Sequence, residues 1–325
     1  MGTWIAYFHV NARRIRRIMP YQRTIKHEIT LSGIGLHSGK KVNLTLKPAP
    51  PNTGIIFRRI DVSHAEPTRA IIANVTDGKL ATTVGNNGTG VNTVEHLLAA
   101  LAGLGIDNVL IELDAPEIPI LDGSAGPFVN LLRTARLKYQ NVPKKFVVIK
   151  EPIMIRCEDK YIEAYPADRL ILDCTIDFDH PVIEQQSLEW EFGYRSFVKE
   201  ICTARTFCFR QDVEALLANG FAKGGSLDNA VVVDKDGVMN KGGLRFPNEF
   251  VRHKVLDLLG DLSLLGHPII GHIKTYKAGH LLNHQFLRKL LSHHEKWELT
   301  KIIPFNNTFI FQKAYSSPFI PNYPS

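Results

Sequence analysis

The stretch Phe250–Asp261, with the sequence FVRHKVLDLLGD, gives the clearest prediction of local structure in this 325-residue chain. His253, Asp257 and Asp261 follow one another at intervals of four residues, so on a helix they share one face. Apolar residues with helical spacing surround them, namely Val251, Val255, Leu258, Leu259, Leu262 and Leu265. Carboxylates beside such a face are costly to bury unless they are paired or bound to a cation. The stretch therefore predicts a packed helix, over 248–265, whose His/Asp pair is spaced to bind one metal ion.

A second candidate ligand lies far upstream, in the pair Glu95-His96. One interpretation is structural: Asn92 and Glu95 have the spacing of a capping box at the start of a helix that ends near Leu104, and His96 is then a core histidine. The other interpretation is chemical, with His96 as a metal ligand and Glu95 as a general base. Together with His253 and Asp257, His96 would provide three protein ligands and leave a position open, which is the arrangement of catalytic zinc.

Two basic residues extend the chemical interpretation. Lys254 is either a solvated lysine or, beside a metal, a group that stabilises a developing oxyanion. His280 follows Gly279 at the start of a helix predicted over 280–293. If His280 approaches Asp261, the carboxylate favours the charged imidazole, which can donate a proton to a leaving amine. We call His253, Asp257 and Asp261 the His–Asp stripe. A simple helical hydrogen bond between His253 and Asp257 is the competing explanation of this pattern.

Grouped strands and separate helices indicate the fold class. Each half of the chain contains several short alternating strands and at least one long helix, and each ends in the order helix, glycine, strand. This grouping predicts α+β layers rather than alternating βαβ units. The best linker candidate is 140–145, with the sequence QNVPKK. Further helices are predicted over 124–133, 194–201 and 211–218.

Composition excludes several classes of protein. The net charge is +7, but Arg13, Arg14, Arg16 and Arg17 carry four of these charges, which leaves +3 for the rest of the chain. No basic run with interleaved aromatics follows, so we expect no nucleic-acid partner. No apolar stretch approaches the ~20 residues that span a bilayer, so no stable membrane span is expected. The four cysteines are scattered, which indicates free thiols in a reducing compartment.

Several motifs, taken together and in order, resemble the bacterial UDP-3-O-acyl-N-acetylglucosamine deacetylases, which are zinc amidases of lipid A biosynthesis. The resemblance covers about residues 22–295. The motifs that carry it are GLHSG at 35–39, TVEHLLAAL at 93–101, PEIPILDGS at 116–124, TIDF at 175–178, ARTF at 204–207, FVRHK at 250–254 with Asp257, and Gly279-His280.

The resemblance implies a role for each candidate residue. It implies that His96, His253 and Asp257 bind one catalytic Zn²⁺ per chain. It further implies that Glu95 is the general base, that Asp261 orients His280 as the general acid, and that Thr206 and Lys254 stabilise the oxyanion. Phe207 is then expected to line the sugar region, and Asp177 and Phe178 to bind the uridine diphosphate part. The expected reaction is zinc-dependent hydrolysis of the 2-acetamido group, releasing acetate and the free 2-amino sugar nucleotide.

The implied architecture is two similar two-layer α/β sandwich domains with the active site between them. We expect an N-terminal extension over residues 1–20, disordered or upstream of a natural start at Met19. Domain I is expected over 21–142 and domain II over 143–298, each with a small insert, near 55–75 and 210–235. Residues 299–325 are expected to form a C-terminal tail. The expected protein is a cytoplasmic monomer of a Gram-negative bacterium whose partner is the UDP-linked acylated glucosamine.

Two other interpretations stay open from the sequence. One is another metal-dependent amidohydrolase that acts on a different N-acyl substrate. The other is a non-enzymatic binding protein whose His/Asp stripe is a structural polar cluster.

Overall fold

The structure is a computed structural model that describes residues 20–85, 88–305 and 308–314. The expected N-terminal extension therefore lies outside the described residues except for Pro20, as do residues 315–325 of the expected tail. No helix in the described ranges is long and apolar enough to cross a membrane.

Strands make up the larger share of the regular structure, and helices separate them. In the first half of the chain the strands are β1 (Tyr21–Ile25), β2 (Ile29–Ile34), β3 (Lys41–Pro48), β4 (Ile55–Arg59), β5 (Thr68–Arg69), β6 (Val75–Asp77), β7 (Thr83–Val84), β8 (Val109–Leu113) and β9 (Leu137–Pro143). In the second half they are β10 (Lys145–Ile149), β11 (Ile153–Cys157), β12 (Lys160–Tyr165), β13 (Leu170–Asp177), β14 (Gln185–Glu191), β15 (Phe207–Phe209), β16 (Val231–Asp234), β17 (Gly237–Val238), β18 (Ile269–Tyr276), β19 (Trp297–Phe305) and β20 (Thr308–Lys313).

The helices carry most of the candidate site residues. The α-helices are α1 (Glu95–Leu104), α2 (Gly126–Thr134), α3 (Tyr194–Ser196), α4 (Arg210–Ala218), α5 (Glu249–Leu262) and α6 (His280–Ser292). A π-helical turn, Phe197–Ile201, extends α3, and a 3₁₀ turn, Ser263–Leu265, extends α5. The two helices predicted at the His–Asp stripe and at His280 therefore form within a few residues of their expected bounds.

Two principal sheets form, one from each half of the chain. The first has five strands in the order β2-β3-β8-β4-β5. The second has eight strands and follows the path β11-β12-β18-β10-β19-β20, with β13 pairing with β18 and β14 pairing with β13. Strands β15, β16 and β17 form a separate small sheet next to α4. The mixture of sheets and packed helices confirms the α+β class.

Alternating burial explains which face of each sheet meets the helices. In β3, the buried positions are Val42, Leu44 and Leu46, and exposed or partly exposed residues stand between them. In β13, every second residue from Leu170 to Ile176 is buried in the same way. This period of two gives each sheet one apolar face and one solvent-facing face. The apolar faces join the helices in one contiguous core.

Helices α1 and α5 cross at a very close contact. A Cβ atom at Gly260 of α5 would overlap with the main-chain oxygen of Glu95, at the start of α1. Because only a residue without a side chain permits this approach, Gly260 brings the first turn of α1 against the last turns of α5. The contact places the Glu95-His96 pair beside the His–Asp stripe.

A cavity of about 460 Å³ lies beside the C-terminal part of α1 and the last turn of α5. Apolar side chains such as Leu101 and Leu262 line much of it. Two charged side chains in its lining pair with each other, Lys144 Nζ lying 2.9 Å from Asp107 Oδ1. The helix interface is thus incompletely filled at this end.

The capping box expected at α1 is wrong. The N-cap position is Val94, which makes no side-chain capping bond, and Thr93 adopts a positive φ of 58° just before the helix. The Asn92 carboxamide accepts a hydrogen bond from Thr83 Oγ1 instead, and Glu95 is bonded to Thr82. Tertiary contacts therefore replace the local cap, and the Glu95 carboxylate faces the site.

Strands also continue beyond the expected domain boundary at residue 298. Strand β19 pairs antiparallel with β10, and β20 pairs with β19, so the second sheet includes most of residues 299–313. The expected boundary at 142/143 falls just before the last residue of β9, and one residue separates β9 from β10. The division into two domains stays a prediction.

Candidate active site

Three buried ligand atoms from α1 and α5 meet at the helix crossing. His96 Nε2 lies 3.6 Å and His253 Nε2 3.3 Å from Asp257 Oδ1. All three residues are at least 96% buried, and their ligand atoms lie within 4.8 Å of one another. Residues 157 positions apart in sequence thus form one compact set, as the two-helix hypothesis predicted for these positions.

The donor set fits a divalent cation. Asp257 Oδ1 is buried and has no hydrogen-bond partner among the described residues, whereas Oδ2 accepts a hydrogen bond from Lys254 Nζ at 2.7 Å. Ligands at ~2.0–2.2 Å in a tetrahedral site stand about 3.3–3.5 Å apart, close to the two observed separations. One carboxylate oxygen and two imidazole nitrogens are therefore free to bind the same ion.

A main-chain contact on the Nδ1 side of the ring fixes the orientation of His253. Its Nδ1 lies 3.1 Å from the carbonyl oxygen of Ala204, so an Nδ1–H donated there leaves the Nε2 lone pair toward Asp257. The next residue, Arg205, forms two side-chain hydrogen bonds with Glu249, at 2.8 and 3.0 Å. Since Glu249 is fully buried in the first turn of α5, this ion pair holds the 204–206 loop against the ligand helix.

The protonation states of the ligands suit metal binding. Burial lowers the pKa of His253 to about 3, against the opposing effect of Asp257, so its imidazole is neutral at neutral pH. Burial opposes the charge of Asp257, but His253 and Lys254 outweigh it and hold the pKa of this carboxyl well below its usual range. A neutral imidazole and an ionised carboxylate are the forms that bind a metal.

Glu95 and His280 face each other beside this set. His280 Nε2 lies 3.8 Å from Glu95 Oε1 and 3.9 Å from Asp257 Oδ2. Burial raises the pKa of Glu95, and the charge of His280 partly offsets this effect. Burial opposes the charge of His280, but Asp261 and then Glu95 outweigh it and raise the pKa of His280 to about 10. A carboxylate base and a protonated imidazole therefore stand on either side of a short gap.

Asp261 is the anchor of His280. It is fully buried, and its Oδ2 accepts hydrogen bonds from His280 Nδ1 at 2.7 Å and from the Asn283 amide at 2.8 Å. Its Oδ1 accepts a hydrogen bond from the Thr82 hydroxyl at 2.6 Å. Burial opposes the charge of Asp261, yet His280 and then His284 lower the pKa of its carboxyl far below the usual range. The contact between Asp261 and His280 is present as the sequence predicted.

Lys254 and Phe207 border the ligand set, and Thr206 directly precedes Phe207 in the sequence. The Lys254 ammonium stands 5.7 Å from the centre of the Phe207 ring, and burial opposes its charge while Asp257 raises its pKa overall. The Phe207 ring also lies edge-on to His253, with centroids 6.4 Å apart. Thr206 is held by main-chain hydrogen bonds to Gly123 and Val231, at 2.8 Å each.

The two other predicted substrate residues, Asp177 and Phe178, lie farther from the ligand set, on the side of Phe207. Phe178 packs edge-on against Phe207, with ring centroids 5.7 Å apart. Asp177 accepts a hydrogen bond from the Tyr276 hydroxyl at 2.6 Å and lies 3.3 Å from Lys277 Nζ. Asp177 therefore belongs to a half-buried polar cluster at the end of β18, whereas Phe178 belongs to the aromatic group around Phe207.

Sequence reasoning missed several residues that support the site. They are Thr82, Glu117, Arg205, Glu249, Asn283 and His284, all at least 90% buried. A signal existed for Asn283 and His284, because they follow His280 by three and four residues and so share its helical face. No local pattern links Arg205 to Glu249. Likewise, none reveals that Glu117 accepts main-chain hydrogen bonds from His37 and Ser38, each at 2.8 Å.

A second possible metal-binding group exists on the outer face of the eight-stranded sheet. It consists of Asp173, Glu189 and His272, which are partly or fully exposed. His272 Nε2 lies 4.0 Å from Asp173 Oδ2, and Lys274 Nζ lies 3.7 Å from the same oxygen. This group has neither the burial nor the neighbouring acid and base of the first, so the first group is the candidate for catalysis.

A buried His₂Asp set beside a carboxylate base and a protonated imidazole is the arrangement expected of a metal-dependent hydrolase. A family model described as UDP-3-O-acyl N-acetylglycosamine deacetylase matches residues 22–292. The chain belongs to that family.

Similar curated proteins agree with the family. The chain is 51% identical over 278 residues to the UDP-3-O-acyl-N-acetylglucosamine deacetylase of Myxococcus xanthus, covering 86% of this chain and 88% of that protein. It is 52% identical over 282 residues to the protein of the same name from Vibrio parahaemolyticus, covering 86% and 92%. For the one from Saccharophagus degradans the identity is 48% over 301 residues, covering 92% and 98%.

Proposed function

We propose that this chain hydrolyses the 2-acetamido group of a UDP-3-O-acyl-N-acetylglucosamine, in lipid A biosynthesis. The products are acetate and the free 2-amino sugar nucleotide. Membership of the family and the names of its relatives support this substrate. The observation that carries the chemistry is the unpartnered, buried Oδ1 of Asp257 between two histidine nitrogens, next to Glu95 and His280.

We infer one Zn²⁺ per chain at His96, His253 and Asp257. Two imidazoles and one carboxylate are a common ligand set for catalytic zinc. When bound there, zinc supplies a Lewis acid and lowers the pKa of water from 15.7 toward ~7. The chain's own contribution is to hold the ligands ready: Ala204 orients His253, and Lys254 occupies Asp257 Oδ2 so that Oδ1 stays free.

Glu95 acts in this proposal as the general base. Its Oε2 accepts the main-chain hydrogen bond of Thr82 at 3.0 Å, and its Oε1 points toward the gap shared with His280. Burial raises the pKa of Glu95 toward the working pH, which makes the carboxylate a better proton acceptor than an exposed glutamate. Oε1 is therefore the oxygen that takes the proton from the attacking water.

Lys254 and Thr206 are proposed to stabilise the oxyanion that develops on the acetamide carbonyl. The Lys254 ammonium stays charged, since Asp257 raises its pKa against the effect of burial. Thr206 follows Arg205 directly, so the Arg205–Glu249 ion pair limits how far its hydroxyl can move. Preorganised donors of this kind lower the barrier because they need no reorientation during the reaction.

His280 acts as the general acid. Asp261 accepts the Nδ1–H, so the Nε2–H faces the gap and is the proton that passes to the leaving amine. With its pKa raised to about 10, the imidazole carries that proton at neutral pH. Once the amine has left, the proton that Glu95 gained passes to His280 Nε2, and both residues return to their starting protonation states.

We propose further that the sugar contacts Phe207 and that Asp177 and Phe178 contact the uridine diphosphate part. Exposed apolar side chains on and after α4 are available to the 3-O-acyl chain, namely Leu217, Phe221 and Leu227, each 41–48% exposed. Two domains, over 21–142 and 143–298, a monomeric state and a cytoplasmic location stay predictions from the resemblance.

The deciding experiment is an acetate-release assay on 3-O-acylated UDP-N-acetylglucosamine, with and without a chelator. We expect release that the chelator abolishes and that added Zn²⁺ restores. A parallel screen of other N-acetylated sugar nucleotides tests the rival, another metal-dependent amidohydrolase. If the acylated substrate is inert while a different N-acyl compound is hydrolysed, the proposed substrate is wrong.

A further inference from the structure

Thr82 is bonded both to the proposed base and to the anchor of the proposed acid. Its main-chain N–H donates to Glu95 Oε2 at 3.0 Å, and its hydroxyl donates to Asp261 Oδ1 at 2.6 Å. The residue is fully buried. It lies just before β7, in the first half of the chain, whereas Asp261 lies 179 residues later.

The main chain of Thr82 is fixed to the start of α1. Besides the bond to Glu95, its carbonyl oxygen accepts a hydrogen bond from Val94 N–H at 3.3 Å. Two main-chain bonds thus hold Thr82 against the turn that carries Glu95 and His96. Its side chain, by contrast, reaches only groups on α5 and α6 among the contacts of the described residues: Asp261, His280 and His284.

The Thr82 hydroxyl is placed both to donate and to accept a hydrogen bond. A threonine hydroxyl has one proton to donate and two lone pairs to accept. The proton goes to Asp261 Oδ1, and His284 Nε2, at 3.1 Å, can donate to the oxygen; His280 Nδ1 stands at 3.3 Å. Removing the hydroxyl would leave Oδ1 with His284 Nε2, at 3.5 Å, as its nearest polar neighbour among the contacts of the described residues.

Resting on the function proposed above, we propose that Thr82 is a positioning residue that sets the separation of the general base and the general acid. It touches no reacting atom. One residue holds Glu95 Oε2 through its main chain and Asp261 through its side chain, and Asp261 holds His280 Nδ1. The opposite atoms of the two catalytic residues, Glu95 Oε1 and His280 Nε2, are thereby kept at 3.8 Å.

The proposal predicts an effect on turnover rather than on substrate binding. Thr82 does not face the substrate, so its loss should change kcat and leave KM in place. Groups that orient a site from behind typically contribute about 10–100-fold. The main-chain bond to Glu95 survives any side-chain replacement, so substitution isolates the hydroxyl.

The test compares Thr82→Val with Thr82→Ser in the zinc-loaded full chain, using 3-O-acylated UDP-N-acetylglucosamine. We expect Thr82→Val to lower kcat about tenfold with KM and zinc content unchanged, and Thr82→Ser to stay within about twofold of wild type. Thr83→Val is the matched control: its hydroxyl bonds to Asn92, not to the acid or the base, so it should behave like wild type. Thr82→Ala replaces the valine variant if that variant does not fold.

Two further measurements separate positioning from mere stability. In a double-mutant cycle, Thr82→Val should cost little more in an Asp261→Asn background, because both changes act through the same carboxylate. The low-field proton resonance of the His280–Asp261 hydrogen bond should move in Thr82→Val and not in Thr82→Ser. Additive losses in the cycle, or a valine variant as active as the serine variant, would overturn the role of Thr82. An inactive wild-type protein would instead reject the proposed function.

Discussion

The two ends of the α1–α5 contact differ in almost every physical respect. At the end where α1 begins, the contact is so tight that Gly260 has no room for a Cβ, and the buried side chains are ionisable and hydrogen-bonded. Toward the end where α1 stops, leucines and isoleucines leave a cavity of about 460 Å³. The same two helices thus have a filled polar end and a hollow apolar end.

The difference separates what holds the helices together from what performs the chemistry. Apolar burial is non-directional and tolerates imperfect filling, so the hollow end can stabilise the helix pair without fixing any atom closely. A buried polar network has the opposite property, because each unpaired group is costly and each bond fixes a direction. We therefore expect substitutions at the polar end to change rate, and substitutions at the hollow end to change stability.

The largest effect is expected from the ligands. His253→Ala and Asp257→Ala should each lose tight zinc binding and lower deacetylation by about 10⁴-fold, because the cation contributes several kcal/mol of transition-state stabilisation. Metal content after dialysis and acetate release measure the two effects. His272→Ala, in the exposed group on the outer sheet face, is the control and should keep zinc and activity. Full zinc in both ligand variants at limiting metal would reject the assignment.

A somewhat smaller loss is expected when the base is removed. Glu95→Gln can still accept the Thr82 N–H but cannot take a proton, so we expect kcat to fall about 10³-fold with zinc retained. Turnover and melting temperature should be measured on the same preparation. A variant that melts early yet turns over normally would show that Glu95 serves the helix start and not the reaction.

Removal of the general acid is expected to lower kcat by about 10²-fold. The titration of this acid also predicts how the rate depends on pH. His280→Ala should lose about that factor. Because Asp261 raises the pKa of His280 toward 10 and a bound cation opposes this, the alkaline limb of the rate profile should lie above 6.5 and below 10.

Removing the charge of Asp261 tests the direction in which this carboxylate shifts the pKa of His280. In Asp261→Asn the imidazole loses its main stabilising charge, so its pKa falls and activity is lost at lower pH than in wild type. Zinc should be retained, since Asp261 is not among the three proposed ligands. An alkaline limb that does not move, together with near-normal rates in His280→Ala, would end the assignment of His280 as the acid.

The smallest effect is expected at the hollow end. Ala102 lines the cavity, so Ala102→Leu should fill part of it and raise the free energy of unfolding by about 1 kcal/mol, with kcat unchanged. Thermal unfolding and acetate release check the two statements. Ala215→Leu, on the exposed surface of α4, is the matched control and should leave the melting temperature in place. A tenfold loss of kcat in Ala102→Leu would mean that packing at the hollow end also affects the chemistry at the polar end of the α1–α5 contact.

The sequence predicted those parts of the site that lie on helices with a regular pattern. Asp261 lies on the same helical face as His253 and Asp257, and the start of a helix at His280 was predicted as well; the resemblance implied that Asp261 and His280 meet. The α+β class followed from the grouping of strands.

What the sequence could not predict are contacts made by loops and by distant pairs. Asn92 was expected to cap α1, but Thr83 occupies its carboxamide and Glu95 bonds to Thr82, so tertiary contacts override the local motif. No periodicity marks Thr82, because it lies in a short irregular segment. The Arg205–Glu249 pair joins residues 44 positions apart, and neither position carries a local signal of its partner.

The large sequence separation of the Thr82–Asp261 hydrogen bond has a consequence for when the active site can assemble during protein synthesis. The bond spans 179 residues, and the ribosome adds roughly 5–20 residues per second, so about 10–40 s separate the synthesis of its two ends. During that interval the Glu95 carboxylate has neither His280 nor α5 beside it and stays hydrated. Because non-local contacts form late in folding, the catalytic pair can assemble only after α6 has left the ribosome. A nascent chain stalled before His280 is therefore expected to be inactive, however well its first sheet has folded.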